Sequence, residues 1–208
     1  DDGSYILPGS FIPAAERYGV IVDVDKYVVQ NVFNQVCQNR IPPDTMLSIH
    51  VSGNSICDKS FMQFILDQAA DMKINTSNFC FEITETAAIA NFTEALKFIE
   101  TLHEVGFLFS LDDFGSGVSS FGYLKQLPID YLKIDGFFVK DMVHDPIDAA
   151  MVSAINEIGH RMGIQTIAEF VESEQILQQL RKLGVNYAQG YHIDKPTLLA
   201  DIFAVELA

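Results

Sequence analysis

The segment SLDDFGSGVSS, residues 110–120, ends an apolar run in two adjacent carboxylates, Asp112 and Asp113. Two like charges at the end of a buried strand repel each other and lose hydration, so something must offset them. Other groups share that placement. His50, Glu82, Glu85, Asp135, Glu169 and Gln189 stand at or near the ends of strand-like runs, and Lys133 lies two residues before Asp135. Several carboxylates converging with one lysine form a donor set for hard divalent cations, and oxygen ligands suit magnesium or manganese. Asp112 and Asp113 could each serve a different ion. Two ions roughly 3.5–4 Å apart can activate water and stabilise the leaving oxygen of a phosphodiester.

Taken singly, each group has a plainer reading. Lys133 beside Asp135 fits a salt bridge, and Glu82 and Glu85 could complement the start of a helix. The DFG triplet at 113–115 also occurs in protein kinases, but no Gly-rich loop or catalytic HRD loop accompanies it, and HRMG at 160–163 does not qualify. His103, His144, His160 and His192 have no partner pattern and read as surface or satisfied core residues. What weighs against the plain readings is the shared placement at strand ends.

Those ends belong to six strand-like runs, at 45–53, 79–85, 107–114, 130–136, 165–171 and 186–193. Helical patterns precede, separate and follow them at about 23–39, 58–72, 91–105, 118–127, 146–162, 173–183 and from 197. Strands alternating with such helices predict parallel βα units. Polar groups at the C-terminal ends of all six favour a barrel, because an open doubly wound sheet would gather them at one or two switch points. The period of two agrees: Ser48, His50 and Ser52 oppose Leu47, Ile49 and Val51, while Cys80, Glu82 and Thr84 oppose Phe79, Phe81 and Ile83. Lys133 and Asp135 share a face as well, whereas QTIAEFV is too uniformly apolar to divide.

The 208 residues fit one sizeable domain, and none of its apolar runs is long enough to span a membrane. Thirteen basic against 28 acidic side chains give a net charge of −15, which disfavours direct contact with nucleic acid or an anionic membrane surface. A small anionic ligand is compatible once metal ions neutralise the local acid. Cys37, Cys57 and Cys80 are widely spaced and read as small core residues of a reducing compartment. No signal peptide pattern is present, and the opening DDGSYILPGSFIP reads like the interior of a longer chain.

In order, PGSFIPAAERYG, FEITET, LDDFGSGVSSFGYLKQLPIDYLKIDGFFV, TIAEFVE and AQGYHIDKP resemble the EAL domain family of bacterial cyclic di-GMP phosphodiesterases. The resemblance spans nearly the whole chain. It implies a modified TIM barrel with one antiparallel strand, and hydrolysis of cyclic di-GMP to linear pGpG with two magnesium or manganese ions. It assigns Glu82, Asp112, Asp113 and Glu169 to metal binding, with Glu169 also a general base. Lys133 would contact the attacking water, and Asp135, Gln189 and Glu172 would lie on the substrate side. Glu85 would brace a loop comprising Phe114, Gly115, Ser116, Gly117, Ser119 and Ser120, which would couple the site to a homodimer interface. Other domains of a parent chain, of the GGDEF or sensory type, and a cytoplasmic setting are implied too.

Three departures qualify these expectations. The Glu-Ala-Leu strand that names the family is absent, so the barrel is expected to lack its first two strands and one ligand glutamate, leaving two sheet edges unpaired. TEAL at 93–96 lies on a helix and is coincidental. Where the family carries a metal-binding asparagine this chain has His50, a bulkier nitrogen donor better suited to softer ions than to magnesium. Phe170 replaces the glycine of an AEGVE motif, a loss of backbone freedom beside Glu169. His50 favours an alternative, a catalytically silent receptor that signals by binding cyclic di-GMP. The retained acids favour an enzyme, and they disfavour a module that binds no nucleotide, since buried acids cost stability.

Overall fold

The computed structural model describes residues 6–38, 41, 42, 44–115, 121–198 and 202. Six parallel strands form one sheet in strict chain order: β1 (Leu47–His50), β2 (Phe79–Thr84), β3 (Leu108–Phe114), β4 (Tyr131–Ile134), β5 (Gln165–Ala168) and β6 (Tyr187–Ala188). A doubly wound sheet reverses its order at a switch point, whereas this one never does. Each successive strand is added on the same side, as in the wall of a barrel, and the result is a half-barrel with its helices outside. Every pairing is parallel, so the antiparallel strand implied by the resemblance is not among the six.

Chain alternation explains the layers. On β2, Phe79, Phe81 and Ile83 join the aromatic layer under the helices, while Glu82 turns toward the acids of the barrel interior. The helices are α1 (Pro8–Arg17), α2 (Ile21–Cys37), α3 (Gly53–Ile56), α4 (Lys59–Met72), α5 (Glu85–Ala90), α6 (Phe92–His103), α7 (Phe121–Leu124), α8 (Gly136–Val139), α9 (Pro146–Arg161) and α10 (Glu174–Leu183). Phe33 of α2 meets Phe79 edge-on at 4.8 Å, and Phe98 of α6 packs against Phe81 and Phe109. Each such buried ring contributes about 1.5–3 kcal/mol through the area removed from water.

The strand exits are held in place by caps. The side chains of Ser52, Thr84, Asp135 and Ser173 accept backbone N–H bonds at the starts of α3, α5, α8 and α10, the helices that follow β1, β2, β4 and β5. The short β6 is tied down by Asn186, whose side-chain oxygen accepts the Thr166 N–H at 2.8 Å. Thr166 in turn donates its hydroxyl to Asn156 of α9 at 2.6 Å.

Several expectations need correction. The strand expected at 186–193 is only Tyr187–Ala188, because the chain turns at Gly190. The helix expected at 118–127 is the single turn Phe121–Leu124 within the described residues. Helix α1 was not foreseen, because Pro13 interrupts its pattern, although Pro8 sits at its permissive first turn. Cys37 and Cys57 are exposed, and only Cys80 is a core residue. The helix expected from 197 falls largely outside the described residues.

Candidate metal and nucleotide site

The strand ends deliver their polar groups to one place. His50 ends β1, Glu82 lies near the end of β2, Asp112 and Asp113 near the end of β3, and Lys133 next to the end of β4. Glu169 directly follows β5 and Gln189 directly follows β6.

At the centre is Lys133, only 1% exposed. Its Nζ lies 2.9 Å from Asp112 Oδ1, 2.9 Å from Glu169 Oε1 and 3.2 Å from Glu82 Oε2. Burial alone would discharge the ammonium, but Glu82, Asp112 and Glu169 reverse this and hold its pKa above the ordinary lysine value. Burial also opposes the charge of Glu82. There the hydrogen bond from His50 and the field of Lys133 prevail, and the carboxyl is lowered to about 2.

Strict alternation would send Asp112 and Asp113 to opposite faces. The structure resolves this with an irregularity: the β3–β4 register shifts between Leu111 and Phe114, and Asp113 adopts a left-handed φ of +57°. An aspartate accepts that conformation more readily than a branched residue. The kink brings carboxylate oxygens of Asp112, Asp113 and Glu169 within 4.8 Å of one another, and a second group unites His50, Glu82 and Asp112 on the same terms. His50 Nε2 is 3.0 Å from Glu82 Oε2, and Nδ1 is 3.4 Å from Asp112 Oδ2.

Four carboxylates thus face one lysine, with His50 at the rim. Burial first, and the crowding of negative charge second, hold the protons of the remaining acids. Burial raises the pKa of Asp113, and Asp112 and Asp135 raise it further. Burial also raises Glu169, against the opposing pull of Lys133. On the strand face shared with Asp112, Ser110 carries a buried hydroxyl with no partner among the described residues. An oxygen-rich set with uncompensated charge fits a hard divalent cation.

The other expected residues are placed around this centre. A cavity of about 280 Å³ is lined by Glu169, Phe170, Glu172, Gln189, Gly190 and Tyr191, so Glu169 links it to the acids. A larger open cleft of about 810 Å³ lies beside the β1 and β2 exits, and none of the clustered acids lines it. Asp135 caps α8 through Phe137 N–H at 2.7 Å. Glu85 turns away from the cluster and accepts the Gly115 N–H at 3.1 Å and the Tyr123 hydroxyl. Phe114 is fully buried, Gly115 takes a φ of +102°, and Ser116, Gly117, Ser119 and Ser120 lie outside the described residues.

Phe170 keeps a glycine-like backbone, with φ +51°, despite its side chain. Its ring rests on the bare α-carbon of Gly136, and Lys140 Nζ stands 4.0 Å from the ring centre. Residue-by-residue reading did not find Gly136, Lys140, Tyr123 or Tyr191. The aromatic in AQGYHI was the available signal for the last.

A parallel half-barrel with carboxylates gathered at its C-terminal rim defines the class: a (β/α)-barrel protein whose rim acids could hold divalent cations. Residues 1–196 match the EAL domain family. The chain is 43% identical over 199 residues to the cyclic di-GMP phosphodiesterase PdeB of Shewanella oneidensis, covering 95% of this chain and 23% of that protein. It is 32% identical to the cyclic di-GMP phosphodiesterase PdeF of Escherichia coli, covering 97% of this chain and 27% of the relative. It thus spans about a quarter of the length of these relatives. The PaMucR phosphodiesterase in its c-di-GMP complex superposes with a TM-score of 0.89 at 31% identity, covering 100% of this chain and 83% of that one. The FimX EAL domain of Pseudomonas aeruginosa bound to c-di-GMP gives 0.88 at 25% identity, covering 94% and 78%. The chain belongs to the EAL domain family.

A pH prediction follows from these charges. His50, Asp113 and Glu169 all have raised pKa values, so the native state binds more protons than the unfolded chain above their ordinary values of 6.5, 3.8 and 4.5. Stability then falls as pH rises through the raised values. The lowered pKa of Glu82 contributes in the opposite sense, but only below its ordinary 4.5. The melting temperature of the metal-free chain should therefore rise between about pH 8 and about pH 5, and saturating MnCl2 should flatten that slope by replacing the protons. Scanning calorimetry with and without the ion checks this; a metal-free profile that rises with pH would contradict it.

Proposed function

We propose that this chain is the catalytic barrel of a metal-dependent phosphodiesterase that hydrolyses cyclic di-GMP to linear pGpG. The observation that carries the reading is the set of four strand-end carboxylates around one buried ammonium in an EAL-family chain. Glu82, Asp112, Asp113 and Glu169 would hold two magnesium or manganese ions, with His50 at the edge. Such ions, when bound, supply Lewis-acid stabilisation and lower the pKa of the attacking water. Lys133 orders three of the acids with its three N–H donors, and would give one of them to that water or to a phosphate oxygen once an acid turns to an ion. Glu169, with its raised pKa, suits the acceptance of a proton from water. Glu172 and Gln189 line the neighbouring cavity and serve the nucleotide.

We read residues 1–208 as one EAL-type barrel domain of a larger cytoplasmic signalling protein with GGDEF-type or sensory domains, acting as a homodimer. Two observations support parts of this: the relatives are about four times as long, and no helix among the described residues is long and apolar enough to cross a membrane. Glu85, bonded to Gly115 and Tyr123, would pass strain between the site and the loop through residue 120.

A second reading has its own support. Both ring nitrogens of His50 face acids of the cluster, so an imidazolium can stand where a cation would. The protein would then be a silent cyclic di-GMP receptor. Incubation with cyclic di-GMP and MnCl2, followed by chromatography, separates the two. Manganese-dependent pGpG, abolished by a chelator, is expected. Retained ligand with no product would favour the receptor.

A further inference from the structure

We propose that the two cation positions are chemically unlike, and that the one built from His50, Glu82 and Asp112 selects manganese over magnesium. This rests on the metal-dependent reading above. One group offers a nitrogen and two oxygens, the other, from Asp112, Asp113 and Glu169, oxygens only, and Asp112 belongs to both.

One edge of the metal-free geometry is close to what an ion would need. Around an ion with ligands at about 2.1 Å, adjacent donors of an octahedron are about 3.0 Å apart. His50 Nε2 stands 3.0 Å from Glu82, while the other ring nitrogen, Nδ1, stands 3.4 Å from Asp112. An ion taken by Nε2 would find the Glu82 edge already set, with the donors of the group all within 4.8 Å of one another. Glu82 and Asp112 are both less than 6% exposed and are held by Lys133 from the barrel side, so the oxygens are pre-placed. The His50 side chain is 69% exposed, so a turn of the ring can set one nitrogen on an ion while the other leaves its acid for water. Asp112 divides its oxygens: Oδ1 takes Lys133, and Oδ2 faces His50.

Imidazole nitrogen binds manganese and later divalent ions better than magnesium, which prefers oxygen and sheds its waters reluctantly. The His50 position therefore discriminates, whereas the all-oxygen position accepts either ion. With both ions in excess, the centre loads as a mixed pair.

The test uses MnCl2 as the probe and pulsed electron paramagnetic resonance as the readout. At one equivalent of manganese, the wild-type chain should show nitrogen modulation from a directly bound imidazole, absent in His50→Asn. The exposure of His50 makes that substitution mild for folding. In competition titrations, MgCl2 should displace the first manganese from His50→Asn at a concentration about tenfold lower than from the wild type. Manganese bound without nitrogen modulation, or displaced equally from both proteins, would overturn the selectivity while leaving the metal-dependent reading intact. No manganese binding by either protein would overturn both.

Discussion

Replacing Lys133 with methionine is expected to lower turnover of cyclic di-GMP by about a hundred- to a thousandfold, and to destabilise the metal-free chain by about 3–5 kcal/mol. The substitution keeps most of the volume and removes the charge. The ammonium is 1% exposed and within 3.2 Å of three acids, so its loss leaves Glu82, Asp112 and Glu169 buried against one another. Their repulsion must then be relieved by proton uptake or by a metal. Urea unfolding should accordingly show a large loss without metal and a smaller one in saturating MnCl2. Affinity for cyclic di-GMP should change far less than turnover, because in the proposed mechanism the lysine serves the water side of the phosphate. Equal loss of both would reduce Lys133 to a binding role, and an unchanged urea midpoint would mean that its charge is not needed for the fold.

That lysine shows what was legible in the sequence. Strand-end placement alone put His50, Glu82, Asp112, Asp113, Lys133 and Glu169 in one cluster, because parallel strands all point their C-terminal ends the same way. Periodicity also assigned Glu82 inward and Phe81 outward. It could not show how adjacent aspartates reach one site, since that depends on a register shift and a left-handed residue that no two-residue period encodes. Glu85 was not separated from that cluster by strand-end placement. It lies one residue past a strand end, on the first turn of α5, so its carboxylate leaves the rim and ties down Gly115 and Tyr123.

Phe170 was read as a loss of backbone freedom, yet the backbone takes a glycine-like φ and the ring is housed elsewhere. The compensation is Gly136, 34 positions away, whose missing side chain makes room for the ring. Such pairings depend on tertiary contact, so local pattern could not reveal them. The brevity of β6 was hidden in the same way, because 186–193 still mixes apolar and polar residues as a strand end does while the backbone has already turned.

The turn that ends β6 carries the second large expected effect: Gly190→Ala should destabilise the chain by about 2–4 kcal/mol and remove measurable binding of cyclic di-GMP. A Cβ at Gly190 would stand 2.2 Å from Val171 N and 2.4 Å from Val171 O, both backbone atoms that cannot rotate aside. Those same atoms make the two bonds closing this corner: Val171 N–H donates to Gln189 O at 3.0 Å, and His192 N–H donates to Val171 O at 3.0 Å. Opening the corner moves Gln189 and Tyr191 on one side and Phe170 and Glu172 on the other, which together wall the cavity beside Glu169. Gly184→Asn provides the contrast. Gly184 also has a positive φ, at the end of α10, but a Cβ there meets nothing within 4 Å, and asparagine tolerates the left-handed conformation. Its melting temperature and nucleotide affinity should stay close to the wild type. Equal loss in the two variants would trace the effect to backbone freedom rather than to the collision with Val171, and a fully stable, nucleotide-binding Gly190→Ala would remove this corner from the proposed site.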